Sequence, residues 1–269
     1  RLYGGNTSCV VLDVPGGEPI LFDLGTGLRF YGVAEPCTEV PFRGTALLSH
    51  LHWDHVQGLP FFPPLHCQGS RLDVYGPGEE GRSLEDSFNA FMNPPFFPIC
   101  IRDLPGQITF HDATSGSFDV GPARVTVGEV PHVGATFGYR VDWEGVSIAY
   151  VSDHQQPVDD PRRVVDSVLE LVDGVDLLIH DAQFTPEEFA ERPDWGHCTV
   201  DYALEVAHQA TAGELVLFHH DPAHCDGTID GLLAAATDRA AGLDVGSVSA
   251  AAEGRTVHLS PTSPLAARS

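Results

Sequence analysis

The order of its segments predicts an α/β protein, a four-layer αββα sandwich. Three observations carry that expectation. Strand-like runs joined by turn residues fill the first part of the chain, and strands alternate with helices in the second. Four strand-like runs end in His or Asp. The 269 residues, 42% of them apolar, can bury one sizeable core, and no Ser/Gly linker, low-complexity stretch or internal repeat divides them. One domain over 1–269 is expected.

The elements follow in order. Ser8–Asp13 and Pro19–Asp23 read as a hairpin joined by Pro15-Gly-Gly17, and Asp23-Leu-Gly-Thr-Gly27 as a tight turn. Thr45–Ser49 is a buried strand, with a short helix expected to begin within Val56–Pro60. Arg71–Tyr75 is a strand stopped by Gly76-Pro-Gly78. Ser83–Met92 has helical spacing, with Leu84, Phe88 and Phe91 on one side and Ser83 as cap. Asn93–Ile99 holds three prolines, which remove donors and bar regular structure. That aromatic loop either lines a pocket entrance or plugs Phe97 into the core. Arg124–Val130, Thr136–Val141 and Val146–Val151 are strands, 161–172 a helix, and Val175–Ile179 a strand. Thr199–Ala212 is a helix closed by Gly213, Leu215–Phe218 a strand, and Asp226–Ala241 a last helix.

Composition excludes several classes. No run approaches the roughly 20 apolar residues that span a bilayer, and no signal peptide is visible. The six cysteines, Cys9, Cys37, Cys67, Cys100, Cys198 and Cys225, form no CxxC pair and read as mostly reduced thiols of a cytoplasmic protein. Net charge is −24, from 14 basic and 38 acidic residues. Nucleic-acid binding needs phosphate neutralisation by Lys and Arg, so long RNA or DNA is a disfavoured partner. A homodimer is left open.

The chemistry concentrates in His50-Leu-His-Trp-Asp-His55, which packs four metal ligands into six positions after an apolar strand. His50 and His52, two apart at a strand end, project to one side, while Asp54 and His55 fall on the following turn. This suits two metal ions side by side. Imidazole with carboxylate suits zinc, manganese or iron. Three further segments end in ligand-type residues: Glu129-Val-Pro-His132, Ala149-Tyr-Val-Ser-Asp153 and Leu215-Val-Leu-Phe-His219-His220.

The hexapeptide resembles the signature of the metallo-β-lactamase superfamily of hydrolases. The resemblance implies the metallo-β-lactamase fold, an αββα sandwich with a dinuclear site at one edge of the sheets. Carried over by position, it implies one metal on His50, His52 and His132 and another on Asp54, His55 and His219. Asp153 would bridge the two ions, and His220 is the alternative to His219. Two such cations would hold a bridging hydroxide at neutral pH, which Asp54 could also orient. Asp23 would either orient a ligand histidine or cap its turn. Similar family members carry a strand ahead of the equivalent of Gly4-Gly-Asn-Thr-Ser8, so a strand is expected before Arg1.

Leu178-Ile-His-Asp-Ala-Gln-Phe184 and Asp194-Trp-Gly-His-Cys-Thr199 resemble the phosphodiesterase branch, which includes tRNase Z and phosphonate-pathway and cyclic-nucleotide phosphodiesterases. There His197 would act near the scissile phosphate, held by Asp181. The expected activity is hydrolysis of a small phosphodiester such as a cyclic nucleotide. The alternatives are a tRNase Z-like 3′ endoribonuclease, a thioester or lactone hydrolase, and a non-catalytic binding protein.

Overall fold

The computed structural model describes residues 2–35, 40–79 and 81–261. Two sheets face one another. The first has strand order β1-β2-β3-β4-β5: Val10–Leu12, Ile20–Phe22, Arg43–Leu47, Arg71–Gly76 and Gln107–Asp112. β1 and β2 form the expected antiparallel hairpin, and β2 to β5 run parallel. The second sheet holds β6 (Gly116–Val120), β7 (Ala123–Glu129), β8 (Phe137–Trp143), β9 (Val146–Val151), β10 (Leu177–Asp181), β11 (Glu214–Phe218) and β12 (Ser247–Ala250), in order from one edge to the other. β6 to β9 pair antiparallel and β9 to β12 parallel.

Strand periodicity makes the layers. Ile20, Phe22 and Leu47 point toward Val125, Tyr139, Tyr150 and Ile179 of the second sheet, forming the core between the sheets. Their neighbours Leu21, Ala46 and Leu48 point the other way, onto Leu84, Phe88 and Met92. Ala149, Val151 and Leu178 turn to the far side of the second sheet, against Val168, Leu204 and Val206. Successive strand residues alternate faces, so each of these strands feeds two cores. Burial of the three clusters yields four layers, the expected sandwich.

The helices are α1 (Leu28–Ala34), α2 (Trp53–Val56), α3 (Leu84–Phe91), α4 (Asp166–Val172), α5 (Pro186–Glu191), α6 (Val200–Gln209) and α7 (Asp226–Ala240). Ser83 caps α3 by accepting from Asp86 N, and Thr199 caps α6 by accepting from Tyr202 N. Some boundaries differ from expectation. α2 forms one turn earlier, inside the hexapeptide, because Pro60, Pro63 and Pro64 confine the following chain to 3-10 turns. α4 begins at Asp166, since Val165 is extended at its cap and Val164 is buried. Sequence periodicity missed β5, β6, β12, α1 and α5, which are short or have mixed burial.

Cys9, Cys100, Cys198 and Cys225 are free thiols, as expected, but Cys67 is disulfide-bonded; Cys37 lies outside the described residues. No helix among the described residues is long and apolar enough to cross a membrane.

Direction sets the working edge. β9, β10 and β11 run parallel, and β7 shares their sense because β8 opposes both β7 and β9. Their C-terminal ends therefore emerge at one rim of the second sheet. The end of β3 is tied to that sheet by Phe137 N donating to Ser49 O at 2.9 Å and Tyr139 Oη donating to Leu48 O at 2.6 Å.

Beneath that rim, Gly58 N donates to Leu24 O at 2.8 Å, and the Gly58 Cα packs directly on the Gly25 carbonyl. A Cβ on Gly58 would overlap that oxygen. Gly58→Ala should lower the unfolding free energy by about 1–3 kcal/mol, the usual range for overpacking, as read from denaturant midpoints. An unchanged midpoint would show that the two loops separate freely.

Candidate metal centre

Seven of the ligand-type residues picked out in the sequence reach one place, and His220 does not. His50 follows β3, while His52 caps α2 and Asp54 and His55 lie within it. His132 follows β7, Asp153 follows β9, and His219 follows β11. Among the described residues, four overlapping triads bring their ligand atoms within 4.8 Å of one another: His50/His52/His132, His50/His55/Asp153, Asp54/His55/His219 and Asp153/His197/His219.

The imidazoles are fixed by what their other nitrogen does. His55 Nδ1–H donates to Asp23 Oδ2 at 2.7 Å. His132 Nδ1–H donates to the Gly196 carbonyl at 2.6 Å, and His219 Nδ1–H to Gln183 Oε1 at 2.9 Å. Ser49 Oγ gives its proton to Asp23 Oδ2 at 2.9 Å, so it accepts from His50 Nδ1 at 3.0 Å. Each acceptor fixes the ring's orientation and turns Nε2 toward the cluster. His52 turns its Nδ1 inward, 3.2 Å from His132 Nε2.

Asp153 divides the cluster. Its Oδ2 lies 3.9 Å from both His50 Nε2 and His132 Nε2, and its Oδ1 lies 3.2 Å from His55 Nε2 and 3.7 Å from His219 Nε2. Asp54 Oδ2 approaches His219 Nε2 at 3.1 Å and His55 Nε2 at 3.3 Å. His50 Nε2, His55 Nε2 and Asp153 Oδ1 are buried and form no hydrogen bond. Orphaned buried polar atoms are costly, and here they converge. The donor set fits cations that would satisfy them.

The two halves differ electrostatically. Burial, then the neighbouring His55, pushes His50 down to about 2, and burial likewise lowers His52 and His132. These three rings are neutral and ready to ligate. In the other half burial opposes charge, but Asp153 and Asp23 outweigh it at His55, raising it well above the usual imidazole value. Asp153 and Asp54 similarly raise His219 to about 9. Burial also opposes ionisation of Asp54 and Asp153, yet their histidine neighbours hold both carboxyls below the usual range.

Further residues support the cluster. Asp23, at the end of β2 with φ 59°, accepts from Ser49 N at 2.7 Å and Tyr150 Oη at 2.7 Å, besides His55 and Ser49 Oγ. It orients a histidine, the first of the two roles foreseen. Ser49, Tyr150, Gln183 and the Gly196 carbonyl carry no motif signal, because only the fold brings them near. Gly196, at φ 93°, lies so close under His132 that any side chain would strike the ring. His220 turns away, its Nε2 on the Ala251 carbonyl at 3.1 Å, leaving His219 in the cluster.

Beside the cluster, His197 Nδ1 lies 3.0 Å from Asp181 Oδ2, the pairing expected from sequence. Asp181 is fully buried and is fixed by the backbone N–H groups of His154 and Gln183, each at 3.0 Å. The His197 ring stacks on His219 at 5.0 Å and meets His132 at 5.6 Å. A cleft of about 480 Å³ opens next to His132, walled by Val133, Pro157, Val158 and Pro193, with Arg163 at its margin.

The profile of the beta-lactamase superfamily domain matches residues 20–220. The chain belongs to this superfamily. Its sandwich is the metallo-β-lactamase fold, and such a site implies divalent metal ions. Among curated relatives, this superfamily member is 29% identical to Ribonuclease Z of Natronomonas pharaonis over 259 residues, covering 80% of this chain and 81% of the relative. With Ribonuclease Z of Haloferax volcanii it shares 27% over 246 residues, 76% and 75% of the two chains. In three dimensions it resembles the metallo-β-lactamase fold protein YhfI from Bacillus subtilis, with TM-score 0.70, 20% identity and 94% of each chain covered. Human tRNase Z, short form, superposes with TM-score 0.57 at 24% identity, over 82% of this chain and 89% of that one.

The split at Asp153 yields a test. Asp153→Ala should lose metal from both halves, whereas His132→Ala should mainly deplete one; elemental analysis of the purified variants reads this. Full occupancy in Asp153→Ala would refute a shared carboxylate. Because His55 and His219 must shed protons to ligate, metal titration of the stripped protein at pH 7 should release protons, and affinity at that half should rise with pH up to about 9. Calorimetry in two buffers of different ionisation enthalpy measures this, and no buffer dependence would contradict it.

Proposed function

We propose that this chain is a metal-dependent phosphodiesterase that holds two divalent cations, zinc first among the candidates. His50, His52 and His132 would hold one, Asp54, His55 and His219 the other, and Asp153 both. Cations so placed supply Lewis acidity toward a phosphate and bring the pKa of a water toward neutrality. Asp54, 38% exposed in its side chain, is placed to orient that water as well as to ligate.

The observation that carries the reading is the Asp181–His197 pair. Asp181 takes the Nδ1–H of His197, so Nε2 remains to hold a proton for the leaving oxygen. A carboxylate anchored by two backbone N–H groups presets the ring before substrate arrives. Phosphodiester cleavage expels an alkoxide, which needs such a proton. The relatives named Ribonuclease Z support the same class of bond.

Within that class, the charge of the chain favours a small diester of about the size of a cyclic nucleotide. Net charge is −24 and the chain contains no lysine. Arg124, Arg140, Arg163, Arg192, Arg239 and Arg255 each pair with a carboxylate. With 38 carboxylates against 14 arginines, the net field of the chain opposes a polyanion. The second reading, maturation of an RNA 3′ end, is favoured by the relatives' names and weighs at least as much.

His197→Ala should keep both metals and lower kcat by about 10²–10⁴-fold, the range for a lost general acid. The deficit should shrink for p-nitrophenolate leaving groups, which need little protonation. Metal loss in this variant would make His197 a ligand, through its triad with Asp153 and His219; unchanged kinetics would remove the acid. To separate the substrates, the enzyme should cleave a cyclic nucleotide and leave precursor tRNA largely intact at physiological salt. Efficient, site-specific trimming of a tRNA 3′ trailer would establish the second reading.

A further inference from the structure

Three large apolar side chains stand exposed on two neighbouring segments, the first of which begins in the hexapeptide: Trp53 at 67%, Phe61 at 57% and Phe96 at 78%. Trp53 lies between His52 and Asp54 in the hexapeptide itself. Its ring meets Phe91 edge to face, with centroids 6.0 Å apart, and Phe61 meets Phe97 likewise at 6.1 Å. The chain from 53 to 61 thus runs beside the chain from 91 to 97, joined by two aromatic contacts. The wall is stiff. Phe91 and Phe97 pack on the core beneath, Asn93 Nδ2 donates to the Asn89 and Ala90 carbonyls at 2.6 and 2.7 Å, and the backbone N–H groups of Phe96 and Phe97 donate to Asn93 O at 3.0 and 2.9 Å. Of the two roles foreseen for the proline-rich loop, packing of Phe97 on the core is seen, while Phe96 faces solvent.

A preset aromatic face joined to two ligand residues is a place for a flat group attached to the phosphate. Neither 51–63 nor 89–99 contains Lys or Arg, so the wall offers little grip on a run of phosphates. Stacking on an aromatic side chain is tolerant of base identity and needs no charge. We infer that this wall is a nucleobase subsite, with Trp53 as the stacking platform, and that the diester carries a nucleoside beside its scissile phosphate. The inference rests on the phosphodiester reading above and names its substrate class.

The test is binding to the zinc-loaded protein by calorimetry, with adenosine 5′-monophosphate and ribose 5-phosphate as probes. Trp53→Ala should weaken the nucleotide by roughly 5- to 150-fold, the equivalent of one lost stack, and leave ribose 5-phosphate unchanged. Trp53→Phe should recover most of the loss. The nucleotide should also quench tryptophan fluorescence in wild type, and much less in Trp53→Phe. If Trp53→Ala melts early, Trp53→Leu, apolar but without a ring, makes the same comparison. Equal losses for both probes, or none for either, would overturn the subsite while leaving diester hydrolysis by the wild type intact. Sedimentation showing a dimer that Trp53→Ala dissociates, with nucleotide affinity unaltered, would assign the wall to a second copy and overturn it too. Failure of the wild type both to bind either probe and to hydrolyse any diester would remove the phosphodiester reading and the subsite with it. A tetraribonucleotide binding with the same Trp53 dependence, and more tightly than the mononucleotide, would place the base at the end of an RNA; equal affinity would place it in a small nucleotide.

Discussion

One buried carboxylate holds the arrangement together. Asp23 ends β2 in a left-handed conformation and accepts from Ser49 beyond β3, from His55 in α2 and from Tyr150 in β9. A single side chain thus joins the first sheet, the metal-motif helix and the second sheet. A buried carboxylate is tolerable only when its lone pairs are filled, and here all four donors come from groups the site needs in place. Tyr150 also stacks on Phe22 at 5.0 Å, so the apolar core between the sheets and the polar knot above it share a residue. Docking of the sheets and orientation of His55 are therefore one event.

What could be read from the sequence, and what could not, follows from the range of each interaction. Val146–Val151 and Leu215–Phe218 were legible because buried parallel strands are continuous apolar runs. The candidate ligands outside the hexapeptide were legible because each follows a strand. Glu214–Phe218, for example, places His219 at the rim without any further signal. β6 was illegible for the opposite reason: Gly116–Val120 is an edge strand with mostly exposed side chains, held by pairing to β7 and not by its own pattern. Gln183 could be quoted but not interpreted, since its contact with His219 spans 36 residues and depends on β10 pairing with β11. Gly196 is similar; its glycine is required by a ring 64 residues away.

The two halves of the metal centre are chemically unequal. One is three neutral imidazoles; the other has carboxylates that hold its histidines charged until something replaces the proton. This inequality arises from placement alone, since both halves draw on the same short motif. Asp153 faces both with separate oxygens, which couples them.

Each half also takes two donors from the hexapeptide and one from the second sheet: His132 for one, His219 for the other. On the proposed assignment neither ion would find its full set of ligands on the first sheet alone. During synthesis the motif at 50–55 emerges early, but its last partner emerges some 165 residues later. Until then the nascent histidines can meet a cation only loosely. On the proposed assignment a tightly held metal would therefore be a certificate of assembly, issued only to chains whose two sheets have closed.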